Sequence, residues 1–268
     1  MKSRFGKVLI DLSVFTIGIL SLLSPFILHQ TRNPNFSSTS FPLMVSFILV
    51  LCLILLLFET QFSLLDSKMI AFLGVLIAIN AGLRFLENAI PGPAGFSPTF
   101  FLIILTGFFF GSRIGFLMGA MTMFVSGLIT GGVGPWLPGQ MMTAGWLGQS
   151  SSSLKPLTNV LNWQQKSGEI ILLSIFSALW GILYGVIMNL WFWPFFSTAP
   201  GQTWLQSASL VENIGRYGTY YLTTSLGWDI TRSIGNIFII VFLSKPVIRI
   251  FIRFQKRFSF VIEEPQQQ

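Results

Sequence analysis

An all-α bundle embedded in a lipid bilayer is the fold class this sequence predicts, and three observations predict it. Only 9% of the 268 residues are charged, while 52% are hydrophobic; a soluble domain carries roughly a quarter charged residues. Phenylalanine alone occurs 28 times, more apolar surface than a water-soluble fold of this length hides. Several apolar runs approach the roughly 20 residues that a helix needs to cross the hydrocarbon core. The expectation is a polytopic protein of the cell (plasma) membrane.

The elements follow in order. A first span is expected at about 8–28. The preceding MKSRFGK resembles the start of a signal peptide, but the apolar run is long and lacks a small-residue cleavage site, so it reads as a retained anchor. The polar HQTRNPNFSSTS leads to a second span at about 41–58. A third covers about 69–88. PGPAGFSP (91–98) breaks the chain before a short fourth span at about 98–111, and a fifth covers about 113–130. After GVGPWLPGQ (132–140) comes a weak sixth, 138–153. The polar SSSLKPLTNVLNWQQKSG precedes a strong seventh at about 169–196. Residues 197–225 read as a polar, aromatic connection, and the eighth span covers about 226–254, before a polar tail at 258–268.

Eight spans put both termini on one side. If that side is cytoplasmic, Lys2, Arg4, Lys7, Lys68, Arg113, Lys155, Lys166, Lys245, Arg249, Arg253, Lys256 and Arg257 all lie there. Arg32, Arg84, Arg216 and Arg232 remain outside. This is the positive-inside bias of membrane proteins. The net charge of +7 therefore needs no nucleic acid to explain it. The topology puts the segments 89–97, 131–138 and 197–225 on the outer face.

Other classes find little support. Cys52 is the one cysteine and His29 the one histidine, so an intrachain disulfide is excluded and no metal site is expected. The sequence shows no Gly-rich phosphate loop, HExxH or nucleophile elbow. Nothing marks the chain as an ATPase, and no catalytic residues are assigned.

Within the spans, small residues recur at intervals of four. Gly74, Ala78 and Gly82 form one stripe, Gly111, Gly115 and Gly119 another. Such stripes let helices approach closely. The second is read as internal packing; the first serves either packing or docking of a partner. The seventh span carries Gly181, Gly185, Asn189 and Trp193, small at one end and polar-aromatic at the other. Trp191 reads as an interfacial belt residue. Asp229, Arg232 and Asn236 share one face of the eighth span. They form either a near-surface salt bridge or the wall of an outward pocket. Arg84 and Glu87 form a similar near-surface pair. In GVGPWLPGQ, Trp136 offers a flat ring and one N–H, with Gln140 and Thr143 adding hydrogen-bonding groups in the next helix. Taken alone, Trp136 is by default an interface anchor.

Three blocks carry a resemblance: FFFGSRIGFLMGAMTMFVSGLITGGVGPWLPGQMMTAGWLG (108–148), ALWGILYGVIMNLWFWPF (178–195) and LGWDITRSIGNIFIIVF (226–242). From about 69 to 254 the chain resembles the membrane-embedded S component of an energy-coupling factor (ECF) transporter, most like the cobalamin-type branch. The resemblance implies a six-helix substrate-capture domain at 69–257, preceded in 1–68 by two extra helices of open role. It implies a membrane T protein and two ABC-type ATPases as partners. It also implies cobalamin or a related corrinoid as transported substrate, with no covalently bound cofactor. Segments 89–97 and 131–138 would act as lids, with 197–225 as a third wall, and the subunit would topple in the membrane.

Carried onto this sequence, the expected substrate-binding residues are Arg84, Phe96, Trp136, Gln140, Thr143, Asn189, Trp193, Asp229, Arg232 and Asn236. The expected docking residues are Ala71, Gly74, Ala78 and Gly82. The family's Ala-x-x-x-Ala fails strictly, because Val75 follows Ala71 four residues on. The alternatives are an S component for another vitamin or cofactor precursor, an intramembrane enzyme using Asp229 and Arg232, or an assembly subunit.

Overall fold

The computed structural model describes residues 15–16, 18–20, 22–23, 25–26, 67–89, 97–195 and 199–258. The second expected span, Cys52, His29, Phe96 with most of the 89–97 segment, and the tail from 259 lie outside the described residues. Among the described residues the chain is helical, with no strand. The elements are α1 (Ser67–Ala89), α2 (Thr99–Phe110), α3 (Ser112–Thr130), α4 (Leu137–Ser151), α5 (Leu154–Val160), α6 (Ser167–Phe192), a 3-10 turn (Trp193–Phe195), α7 (Leu210–Thr224) and α8 (Leu226–Phe258). Three stretches among them are long and apolar enough to cross a membrane: Ser67–Glu87, Ser112–Thr130 and Ser167–Phe195. Thr99–Phe110 is equally apolar but shorter.

α2 and α4 form the centre. Thr99 to Phe109 of α2 are all buried, as are most residues of α4. α4 looked weak in the sequence because it is built from Gly139, Thr143, Ala144, Gly145, Gly148 and Ser151. Surrounded by protein rather than lipid, it needs small size more than hydrophobicity. α3 packs on it through glycines. A Cβ on Gly115 or Gly119 would overlap the carbonyl oxygen of Gly148 or Ala144, and one on Gly107 of α2 would also meet Gly148. The packing reading of this stripe therefore holds for Gly115 and Gly119. Gly111 has a different task. It sits between α2 and α3 with φ of 95°, a backbone shape that resists side chains, and a Cβ there would meet nothing within 4 Å.

Two connections expected as loops contain helices. α5 occupies part of the 151–168 connection, and α7 about half of 197–225. α7 starts where Ser209 accepts the Glu212 backbone N–H at 3.2 Å. Ser209-Leu-Val-Glu212 has the S-x-x-E spacing of a capping box. Glu212 also pairs with Arg216 one turn on, at 2.8 Å.

The two ends differ in charge. At one, Phe72 stacks on Phe254 at 3.8 Å and meets Phe110 and Phe251 edge-on. There Lys155 and Gln255 donate to the Phe109 carbonyl. Lys68, Arg113, Lys166, Lys245, Arg249, Arg253 and Lys256 belong to this half, with Glu169 the acid described there. The opposite half holds Arg84, Arg216 and Arg232, matched by Glu87, Glu212 and Asp229.

Candidate functional site

The polar face of α1 arises from spacing. Asn80, Arg84 and Glu87 lie four and three residues apart, on the same side as buried Leu73, Leu76 and Ile77. Asn80 is fully buried; its Nδ2 donates to the Thr99 carbonyl at 3.0 Å and to Thr122 Oγ1 at 3.2 Å. Its Oδ1 has no partner among the described residues. One turn on, Arg84 reaches two helices. Nη1 donates to Ser126 Oγ of α3 and Nη2 to Gln140 Oε1 of α4, both at 3.2 Å, and the guanidinium touches Met123 Sδ. The expected Arg84–Glu87 pair does not form. The Glu87 carboxylate instead accepts from Ser97 Oγ at 2.9 Å and Thr99 Oγ1 at 3.3 Å. The chain entering α2 supplies both hydroxyls, and they draw the acid away from its neighbour.

A second network joins α6, α7 and α8. Asp229 is 2% exposed and pairs with Arg232, whose side chain is 19% exposed. Gly185 makes room for Asp229, since a Cβ there would occupy the position of the carboxylate. Tyr221 Oη donates to Asp229 Oδ2 at 2.8 Å, and Arg232 Nη1 also donates to the Gly181 carbonyl at 3.2 Å. Asn189 donates to the Gly185 carbonyl and accepts from Ser225 Oγ at 2.9 Å. Such ionisable groups persist in apolar surroundings only when paired and hydrogen-bonded. In α7, outside the membrane-length helices, burial, with Asp229 nearby, holds the Tyr217 and Tyr221 hydroxyls well above the ordinary tyrosine range. Both remain donors: Tyr221 to the carboxylate, and Tyr217 to the Val186 carbonyl at 2.5 Å.

Tyr184 of α6 lies between the networks. Its ring packs edge-on to Phe100 at 4.9 Å, and the Arg232 guanidinium sits over it, 5.9 Å from the centroid. It is within electrostatic reach of Arg84, Arg232 and Glu87, and Glu87 feels both arginines. Three helices, α1, α6 and α8, thus carry two guanidiniums, the hydroxyl-bound Glu87 carboxylate and a phenol in one region. That set suits recognition of a polar ligand through charge-assisted hydrogen bonds.

The other expected residues are placed elsewhere or committed to the fold. Trp136 bends back on its own loop: Nε1 donates to the Gly132 carbonyl at 3.1 Å, the indole lies against Gly134, and Phe192 is 6.2 Å away. Thr143 is fully buried, donating to the Gly139 carbonyl at 2.8 Å. Asn236 ties α8 to the Ser177 carbonyl of α6 at 3.2 Å. Trp193, 2% exposed, donates to the Gln202 carbonyl and packs with Trp204 and Tyr217. Trp191 is 3% exposed, packed against Phe192 and Phe195. The belt reading of Trp191 is overturned, because its ring is buried in protein with Phe195 of the following turn packed against it. Asn80, Tyr184 and Tyr221 were missed; the Asn80–Arg84–Glu87 spacing was readable, whereas the partner of Tyr221 depends on a helix not expected.

Along α1, Ala71, Gly74 and Ala78 are exposed, and a Cβ on Gly74 or Gly82 would meet nothing within 4 Å. Among the described residues, no group of three or more His, Cys, Asp or Glu side chains is placed to hold a metal ion.

Among the described residues, helices long and apolar enough to cross a membrane, with polar side chains held among them, mark a helical membrane protein. The sequence model of the ECF transporter substrate-specific component family matches residues 68–244, more than half the chain, and the protein belongs to that family. It is a substrate-binding membrane subunit of a transporter, of a kind that works with T and ATPase modules. No curated protein and no solved structure matched the chain.

Proposed function

We propose that this S component captures cobalamin or a related corrinoid from outside the cell and hands it to a T protein and two ATPases. The observation that supports the site is the Arg232 guanidinium over the Tyr184 ring, with Arg84 and Glu87 of α1 within electrostatic reach. In this reading Arg84, Gln140, Asn189 and Arg232 face the ligand's amide and phosphate oxygens. Asp229, Thr143, Asn236 and Trp193 position them, and Trp136 stiffens the 131–138 lid, with Phe96 in the lid before α2. In this reading the chain crosses eight times, and the basic end, with both termini, is the cytoplasmic one. The exposed Ala71–Gly74–Ala78 stripe is the docking face for the T protein. A smaller vitamin or cofactor precursor bearing a carboxylate or phosphate is the second reading, favoured by the two guanidiniums, Arg84 and Arg232, within electrostatic reach of Tyr184.

Mass spectrometry of the small molecule that copurifies with the chain tests the assignment, followed by equilibrium binding of cyanocobalamin, riboflavin and thiamine. The expected result is saturable corrinoid binding without turnover, weakened on the order of tenfold or more by Arg232→Gln, the loss of one charge-assisted hydrogen bond. Selective binding of another vitamin would replace the corrinoid, and substrate conversion by the lone chain would overturn the transport reading.

A further inference from the structure

The seam between α6 and α8 holds two adjoining hollows at the basic end of the molecule. The first has a volume of about 560 Å³, and its charged lining comprises Lys166, Lys245, Arg249 and Glu169. None of the three cations makes a salt bridge or hydrogen bond among the described residues. Glu169 is 4% exposed, and its carboxylate accepts the Gln165 backbone N–H at 3.0 Å. The three basic side chains are themselves exposed. The hollow thus presents cations that the fold does not use.

The second hollow, about 460 Å³, shares Ile170 with the first. It continues past Ile171, Ile175 and Leu179 to Ile182, with Ile237 and Val241 of α8 as its other wall. Ser174 is its one polar side chain, and it is 7% exposed. From Ile170 to Ile182 the helix rises about 18 Å. That is close to one leaflet's share of the roughly 30 Å hydrocarbon core.

We propose that this seam holds one anionic phospholipid, its phosphate among Lys166, Lys245 and Arg249 and an acyl chain along the isoleucine-lined groove. Charge complementarity selects the occupant. A zwitterionic lipid brings its own ammonium beside three cations, whereas phosphatidylglycerol adds only the negative phosphate. The continuous apolar groove distinguishes a lipid from a free anion. The inference is independent of which vitamin the subunit carries.

The test uses the full chain, purified and exchanged into micelles holding phosphatidylglycerol and phosphatidylcholine in equal amounts. Retained lipid is then counted by native mass spectrometry. Phosphatidylglycerol is expected to be retained preferentially. Lys245→Gln and Arg249→Gln should each lower that preference roughly fivefold, while Lys245→Arg keeps it. Ala178→Phe, which fills the groove, should lower retention of both lipids, with thermal unfolding confirming that each variant is folded. Equal retention of the two lipids, or folded variants that retain lipid like the parent, overturns the proposal. So does full displacement by millimolar inorganic phosphate with Ala178→Phe having no effect, which marks a simple anion site.

Discussion

α1 and α3 carry the same pattern, a small residue every fourth position, and the fold uses them in opposite ways. On α3 the stripe is filled: Gly115 and Gly119 lie against the backbone of α4, too close for any side chain. On α1 the stripe is open among the described residues: Gly74 and Gly82 face no described atom within Cβ reach, and Ile70, Val75 and Ile79 beside them are exposed. Spacing makes close approach possible for both. What decides is the partner each helix meets. α3 meets α4, whose own glycines complete the contact, whereas α1 turns its polar and leucine-rich face inward and leaves its small residues outside.

The comparison is broken most directly at Gly119. Leucine there collides with the Ala144 carbonyl, which cannot rotate away as a side chain does. The expected cost is about 3 kcal/mol, at the upper end for overpacking. It should be seen as a clear fall in the thermal midpoint of the detergent-purified protein and a loss of monodisperse material. A Gly119→Leu protein as stable as its parent would mean that α3 and α4 are not in backbone contact, and the two stripes would be alike.

Gly185 is intermediate, because its close neighbour is a side chain. An alanine methyl group there displaces the Asp229 carboxylate, which has a rotatable bond with which to yield. Moving it disturbs the hydrogen bond from Tyr221 and the ion pair with Arg232. The loss expected for Gly185→Ala is about 2 kcal/mol, the scale of a hydrogen bond to a charged group. If Arg232 binds ligand as proposed, affinity falls with stability. Calorimetric binding beside thermal unfolding separates the two. Unchanged affinity in a destabilised protein would assign the Asp229 network to packing alone.

These contrasts show what the sequence made legible. Helical class, membrane character and the polar face of α8 follow from composition and short-range spacing, and so does the family. The Asp229–Arg232 pair was readable because both partners sit on one helix. The pairing of Arg84 with Gln140 was not, since 56 residues separate them and only the packing of α1 on α3 and α4 joins them. Glu87 was misassigned for the same reason: its hydroxyl partners come from the start of α2. α7 was hidden by its polarity, although the Ser209–Glu212 spacing announced its first turn. The tryptophans misled in another way. A tryptophan near a span end suggests an interface or a ligand, yet Trp191 and Trp193 are buried in protein, while Trp136, partly exposed, hydrogen-bonds its own loop.

The smallest effect on stability is expected at the open stripe, and there the comparison is sharpened rather than broken. Leucine at Gly74 meets no atom of the described chain, so the thermal midpoint should move little, within the ±0.5 kcal/mol usual for surface changes. The added side chain stands where a partner helix needs a flat surface. Copurification of a tagged T protein from cells coexpressing the complex should therefore fall severalfold for Gly74→Leu, while ligand binding to the isolated subunit stays at the parent level. A variant that lost stability and assembly together would place a covering element of this same chain on the stripe. One that kept both would move the docking face away from α1. Stable, ligand-competent and unable to assemble is the combination that a surface reserved for another protein produces, and the filled stripe on α3 has no means of producing it.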